Sequence, residues 1–426
     1  MNNPFGQRRI PEGMTRRHFV EHLLGASALA APAITLTGAM RVQAQELKRN
    51  QKSAILLWMG GGASTIDMWD LKPGSPTGGP FKAISTKGDA QICEHLPKLA
   101  NQMHNLSVVR SLSTREADHT RGRYYMHTGY APNPNVEHPG YGSVVAHELA
   151  AQRELEIPPF VAVGGGSVGP GFLGMTWAPF VVSSNGRVND LQMGISEKRM
   201  MQRMEALRIM EQDFINQKRG PAAEDHAKIL DKTLSLMTSD QMKAFRVASE
   251  PDNIKEKYGR NGFGQGCLLA RRLVESGVPF VEVDFGGWDN HQNIFPTLKD
   301  DKLPKLDQGF SALMEDLEQR GMLENTVVIC MGEFSRTPRI NAEGGRDHWA
   351  RAWSVVVGGG GFQGGKVIGA TNEDGTKVIS DPYTSQDLMA SVCKSLGISL
   401  DTSFTSTSGR PMKIANSGTP IAELFA

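Results

Sequence analysis

The chain has 426 residues, with 46 Lys and Arg against 45 Asp and Glu for a formal charge of +1, and 39% hydrophobic residues. This near-neutral, mixed balance gives no support to nucleic-acid or anionic-membrane binding, so any anionic ligand must be held by a local site. The length suits one large α/β domain with an insertion, or two domains, and after the N-terminus no segment reaches the roughly 18 uninterrupted apolar residues of a stable membrane span.

The first predicted element is an export signal. Arg16 and Arg17 precede a mildly apolar run from Leu23 to Leu36, and small residues follow up to Val42, Gln43 and Ala44. A charged region, an apolar region and a small-residue cleavage site in that order read as a secretory signal, and the arginine pair points to the twin-arginine route. Residues 1–44 are therefore expected to engage a twin-arginine translocase and be removed, leaving a domain over 45–426 that acts in the periplasm or otherwise outside the cytoplasm. The signal carries five arginines and two glutamates, so its loss takes the formal charge from +1 to −2.

Next come short apolar runs of strand length at Ser53 to Met59, Leu106 to Arg110, Phe160 to Val163, Pro279 to Val283, Thr326 to Met331 and Ser354 to Val357. Most follow a helical pattern, and strands alternating with helices predict a doubly wound, mostly parallel sheet covered on both faces. Between residues about 195 and 260 the pattern becomes long, polar and Met-bearing, with Met200, Met204, Leu207 and Met210 at helical spacing. We read this as a helical insertion whose stripe packs on the body. The tail from Ser403 to Gly418 reads as loop. Cys93, Cys267, Cys330 and Cys393 form no CxxC or finger pattern, and Cys267 and Cys330 sit in runs that read as buried helix and strand. A disulfide outside the cytoplasm stays open, with no pairing chosen.

Open α/β sheets bind ligands beyond the carboxyl ends of their strands, so the loops there carry the candidates. After Val283 come Asp289 and His291 in a glycine-rich loop, where a carboxylate and an imidazole can face one cation. After Met331 come Glu333 and Arg336, either flanking that loop or forming a structural ion pair with each other. His348 stands just before the next strand. Three loops converging with Asp289, His291, Glu333 and His348 are a stronger signal than any one of them.

That order, strand then Asp and His, long helix, strand ending in an acidic ligand, and His before the next strand, resembles the alkaline phosphatase and sulfatase superfamily. An N-terminal element is similar as well: Arg123 stands four residues after His119, with Thr128 and Gly129 at the places sulfatases give to Thr-Gly. The form of Gly61 to Pro73, the run Ala270 to Val278 and GEFSRTP from Gly332 make the chain similar to one exported branch, the bacterial domain-of-unknown-function family fifteen-oh-one, often labelled sulfatase-like. The resemblance implies an alkaline phosphatase-like fold and a divalent metal ion (zinc, calcium or manganese) on Asp289, His291 and His348. It implies hydrolysis of an anionic phosphate or sulfate ester, free or on a sulfated or phosphorylated polymer. Arg123 would then clamp the anion, and the attacking group would be Thr120, activated by metal or by His119, or a water, or less directly His119 itself.

Two departures stand out. His119 occupies the place of the Cys or Ser nucleophile, which excludes formylglycine chemistry there, and Gly60, Gly61 and Gly62 replace the acidic pair after the first strand, leaving Asp67 or Asp70 to reach back for a second metal. The missing nucleophile also opens a second reading, a non-catalytic exported protein that kept the fold to bind an anionic polymer or a partner.

Overall fold

Ser53–Trp58 (β1) is apolar at every position after its first, the pattern of a strand covered on both faces, and all six residues are buried. Its neighbours alternate between two cores: Ile55, Leu57 and Met59 face one side, Ala54, Leu56 and Trp58 the other. Each such leucine contributes on the order of 1.5–3 kcal/mol by leaving water.

The computed structural model describes residues 51–426 apart from 152, 154, 189–195, 217–235 and 237–238. The expected signal segment and the middle of the expected insertion lie outside the described residues. The main sheet adds Leu106–Leu112 (β2), Phe160–Val163 (β3), Phe180–Val182 (β4), Phe280–Asp284 (β5), Thr326–Met331 (β6), Trp353–Gly358 (β7) and Val367–Ile368 (β8). Their spatial order is β8-β2-β7-β6-β1-β5-β3-β4. Every neighbouring pair is parallel except the two made by β7, which runs antiparallel to β2 and β6. The mostly parallel α/β sheet expected from the strand pattern is thus present, and the carboxyl ends of β1, β3, β5 and β6 open on one edge.

The helices are His119–Thr128 (α1), Tyr141–Ala150 (α2), Glu197–Asn216 (α3), Gly262–Glu275 (α4), Leu303–Gln319 (α5) and Ser385–Leu396 (α6), with shorter turns between. Leu268, Leu273, Phe310 and Leu317 of α4 and α5 close one face of the sheet, while Val145, Leu149, Leu388 and Val392 of α2 and α6 close the other. In α4, Arg271 is almost wholly buried and answered by Glu250, Glu275 and Asp316 at 3.0, 2.8 and 3.0 Å, which explains the charge inside the Ala270 to Val278 run.

Along α3, Met204 is buried, Met200 and Leu207 are half-buried, and Met210 is exposed, so the stripe packs only in part. The tail differs from expectation: Ser403–Thr405 and Pro411–Lys413 pair antiparallel, with Phe404 opposite Met412. That cross-strand apolar pair stabilises a hairpin in a stretch whose Ser, Thr and Gly content alone reads as loop. All four cysteines are free and buried, and burial pushes the Cys93 thiol up to about 12, the state of an inert side chain.

Candidate functional site

The triple glycine after β1 lets three loops close on one another. Gly61 has φ of 109°, and a Cβ there would lie 2.6 Å from the Asp289 amide nitrogen and 2.9 Å from that of Trp288. Only glycine permits that approach. Its N–H donates to Glu333 Oε1 at 2.9 Å, so the loops after β1, β5 and β6 meet at this point.

Asp289 is the hub. Its Oδ1 lies 3.0 Å from His291 Nε2 and 3.4 Å from His348 Nε2, its Oδ2 lies 3.2 Å from His119 Nε2, and Arg336 Nη2 donates to Oδ1 at 2.5 Å. The Nε2 atoms of His291 and His348 are 3.2 Å apart. Partial burial pushes the Asp289 carboxyl up, but the hydrogen bond and charge of Arg336, with His119 and His291, outweigh it and hold it at about 2.

Each imidazole is fixed from behind. Nδ1 of His119 lies 2.6 Å from Glu333 Oε1, Nδ1 of His291 lies 2.8 Å from Asp347 Oδ1, and Nδ1 of His348 lies 2.8 Å from the Ala117 carbonyl oxygen. An oxygen behind Nδ1 selects the tautomer that leaves Nε2 free to ligate, the usual outer-shell arrangement of metal-binding histidines. Two buried polar atoms here lack a hydrogen-bond partner, His119 Nε2 and Glu333 Oε2. Among the described residues, His119, Asp289 and His348 present ligand atoms all within 4.8 Å of one another. Nitrogen and carboxylate donors with orphaned atoms aimed inward fit a divalent cation.

The sequence expectations fall out unevenly. Asp289, His291, His348 and Glu333 come together, and His119, read as standing in the nucleophile's place, joins them as a further nitrogen donor. Arg336 pairs with Asp289, not with Glu333. Asp67 stands apart: it is fully buried, its two oxygens accept from Arg346 at 2.7 and 2.8 Å, and Ser64 donates to it at 2.6 Å, so its coordination is spent on holding the loop. Asp70 is likewise engaged with Lys72 and Thr371.

Beside the cluster opens a cavity of about 710 Å³ whose wall includes Trp58, His119, Thr120, Arg123, Ser167 and Asp284. Asp118 caps α1 by accepting from Arg121 N at 3.0 Å, which sets His119 and Thr120 in the first turn. Thr120 is exposed on the cavity wall. Arg123, one turn on, donates to the Gly166 carbonyl and lies over the Trp58 ring, 5.6 Å from its centroid. Asp284, at the end of β5, is pushed up by burial against the pull of Arg123. Asp284 and Ser167 were missed in the sequence, where a lone Asp ending a strand and a Ser after three glycines carry no spacing signal.

Among solved structures, the chain is similar to the PsFucS1 sulfatase from Pseudoalteromonas sp., at 12% identity over 86% of this chain and 72% of that one, TM-score 0.39. It is also similar to a protein in the alkaline phosphatase superfamily from Vibrio parahaemolyticus, at 11% identity over 88% and 71%, TM-score 0.36. A third is the phosphonate monoester hydrolase SpPMH from Silicibacter pomeroyi, at 10% identity over 88% and 76%, TM-score 0.35. No curated protein matches the sequence. Residues 51–425 match the family described as "Protein of unknown function (DUF1501)", and the chain belongs to that family.

Proposed function

We propose that this protein is an exported, metal-dependent hydrolase of phosphate or sulfate esters. The observation that carries the reading is the convergence of three imidazoles, each anchored through Nδ1, on the single carboxylate of Asp289 beside an open cavity. His119, Asp289, His291 and His348 would hold the ion, with Glu333 fixing His119 from behind through Oε1. A bound divalent cation there supplies Lewis-acid stabilisation of charge on the ester oxygens.

The chain's own groups do the rest. Arg123 stands on the cavity wall where a guanidinium clamps an anionic oxygen, and the N-terminus of α1 adds a favourable dipole for the same charge. Thr120, which lines the cavity one residue from His119, is the attacking group in this reading. His119 acts as a ligand in this reading, because Glu333 holds its Nδ1 and leaves its unpartnered Nε2 beside Asp289.

The test is turnover of 4-nitrophenyl phosphate and 4-nitrophenyl sulfate by the mature protein loaded with zinc, calcium or manganese. Loss of turnover in Thr120→Ala with the metal retained supports the assignment. Unchanged turnover moves the attack to water. Metal binding without turnover of any ester moves the protein to the non-catalytic reading.

A further inference from the structure

Outside the histidine cluster, His127 and Glu282 meet behind the wall of the same cavity. His127 lies in the last turn of α1 and Glu282 in the middle of β5, and each side chain is only 2% exposed. His127 Nδ1 stands 2.9 Å from the Arg123 carbonyl oxygen, which can only accept, so Nδ1 carries a hydrogen. On the other side of the ring, Nε2 stands 3.2 Å from Glu282 Oε1 and 3.3 Å from Oε2. A bare Nε2 facing an ionised carboxylate would set lone pairs against lone pairs in a buried place. One additional proton therefore lies between the two, whether drawn as imidazolium and carboxylate or as imidazole and carboxylic acid.

The surroundings fit such a charge. The Trp58 ring lies 4.1 Å from the His127 ring, centroid to centroid, an aromatic face that favours a cation. The other charged groups near Glu282 are Arg123, whose Nη2 is 3.8 Å from Oε1, and Asp284, two residues along β5. From the loop after β3, Ser167 donates its Oγ hydrogen to Glu282 Oε2. Ser167 is half-buried and lines the cavity with Arg123 and Asp284, so one hydroxyl joins the buried pair to the space where an ester would sit.

We propose, resting on the hydrolase reading above, that Ser167 hands this proton to the oxygen of the departing alcohol. As Thr120 Oγ1 bonds to phosphorus or sulfur and releases its hydrogen to solvent, the bond to the alcohol breaks, its electron pair stays on the alcohol oxygen, and that oxygen takes the proton of Ser167 Oγ. Ser167, which turns its hydrogen from Glu282 to the alcohol for this step, accepts in its place the proton that His127 Nε2 passes through Glu282. The alcohol leaves neutral, His127 is left neutral with its Nδ1 hydrogen, Glu282 is ionised, and solvent returns one proton afterwards. Such a relay serves esters of unactivated alcohols, the alkyl or sugar type, because an acidic phenol departs without help. Ser167 is then a catalytic residue, and Glu282 and His127 are positioning residues that act through it.

The experiment compares the 4-nitrophenyl and 2-phenylethyl esters of phosphate and sulfate on wild type, Ser167→Ala and Ser167→Thr, all metal-loaded. Positioned proton transfer is worth about 10²–10⁴-fold. Ser167→Ala should lose about 100-fold or more on the 2-phenylethyl ester and less than about tenfold on the 4-nitrophenyl ester, with Ser167→Thr restoring most of the difference. Equal losses on both esters overturn the relay. Nitrogen-15 NMR of wild-type His127 reads the proton without turnover, and a bare Nε2 beside an ionised Glu282 overturns it also. If wild type turns over neither ester, the hydrolase reading has failed, an outcome told apart because it appears before any substitution.

Discussion

His119 Nδ1 stands 2.6 Å from Glu333 Oε1, and this buried carboxylate turns the other ring nitrogen of His119 toward Asp289. In the proposed reading, His119 is thereby held as a nitrogen donor. The same oxygen of Glu333 also accepts from Gly61 N, so one side chain fixes the β1 loop and the imidazole together.

Replacing Glu333 by Gln keeps the shape but removes the anionic acceptor behind His119. Outer-shell changes of this kind typically cost 10–100-fold in metal affinity. Calorimetric titration of Glu333→Gln with zinc, calcium and manganese should show a loss of about that size for the ion that wild type binds best. Affinity equal to wild type would mean that His119 is not a ligand.

The Asp67–Arg346 pair is fully buried, with side chains at 0% exposure on both partners. Removing one charge from such a pair strands the other and costs about 3–5 kcal/mol. Arg346→Met should destabilise the fold by about that amount in urea unfolding, and adding Asp67→Asn should recover part of the loss. A strictly additive double variant would show that the two charges do not depend on each other.

Metal binding should depend on pH through the histidines and not through Asp289. The Asp289 carboxyl, held at about 2, stays ionised over the accessible range. Imidazoles must be neutral to ligate, so protons compete with the ion as pH falls. Occupancy measured at a fixed ion concentration should fall as the solution is acidified, before the carboxylate range is reached. Occupancy that holds until the carboxylate range would place the ion on acids alone.

The proposed export would depend on Arg16 and Arg17. Changing both to Lys should leave the full-length precursor in the cytoplasm, read by cell fractionation and by the mass of the N-terminus. Normal appearance of the mature form outside the cytoplasm would remove the twin-arginine assignment.

The sheet was readable because β1, β3, β5, β6 and β7 are short apolar runs ending at polar loops, and burial on both faces demands that composition. Phe180–Val182 and Val367–Ile368 are too short to show a run, and the hairpin carrying Phe404 and Met412 depends on a pairing that no local pattern displays. Asp289, His291 and His348 were legible from their order along the chain. The place of His119 among them was not, because only the fold brings α1 against the loops of β5 and β6. Asp67 was misplaced for the converse reason: its partner Arg346 lies 279 residues away, and a buried ion pair leaves no trace in spacing.

Elemental analysis of the mature protein, purified without chelators beside the His291→Ala, His348→Ala variant, decides whether the histidine cluster holds metal. One or two divalent ions per chain are expected in the wild type and none in the variant. A wild type that carries no ion after dialysis against zinc, calcium or manganese, or a variant that keeps its full complement, would contradict that expectation.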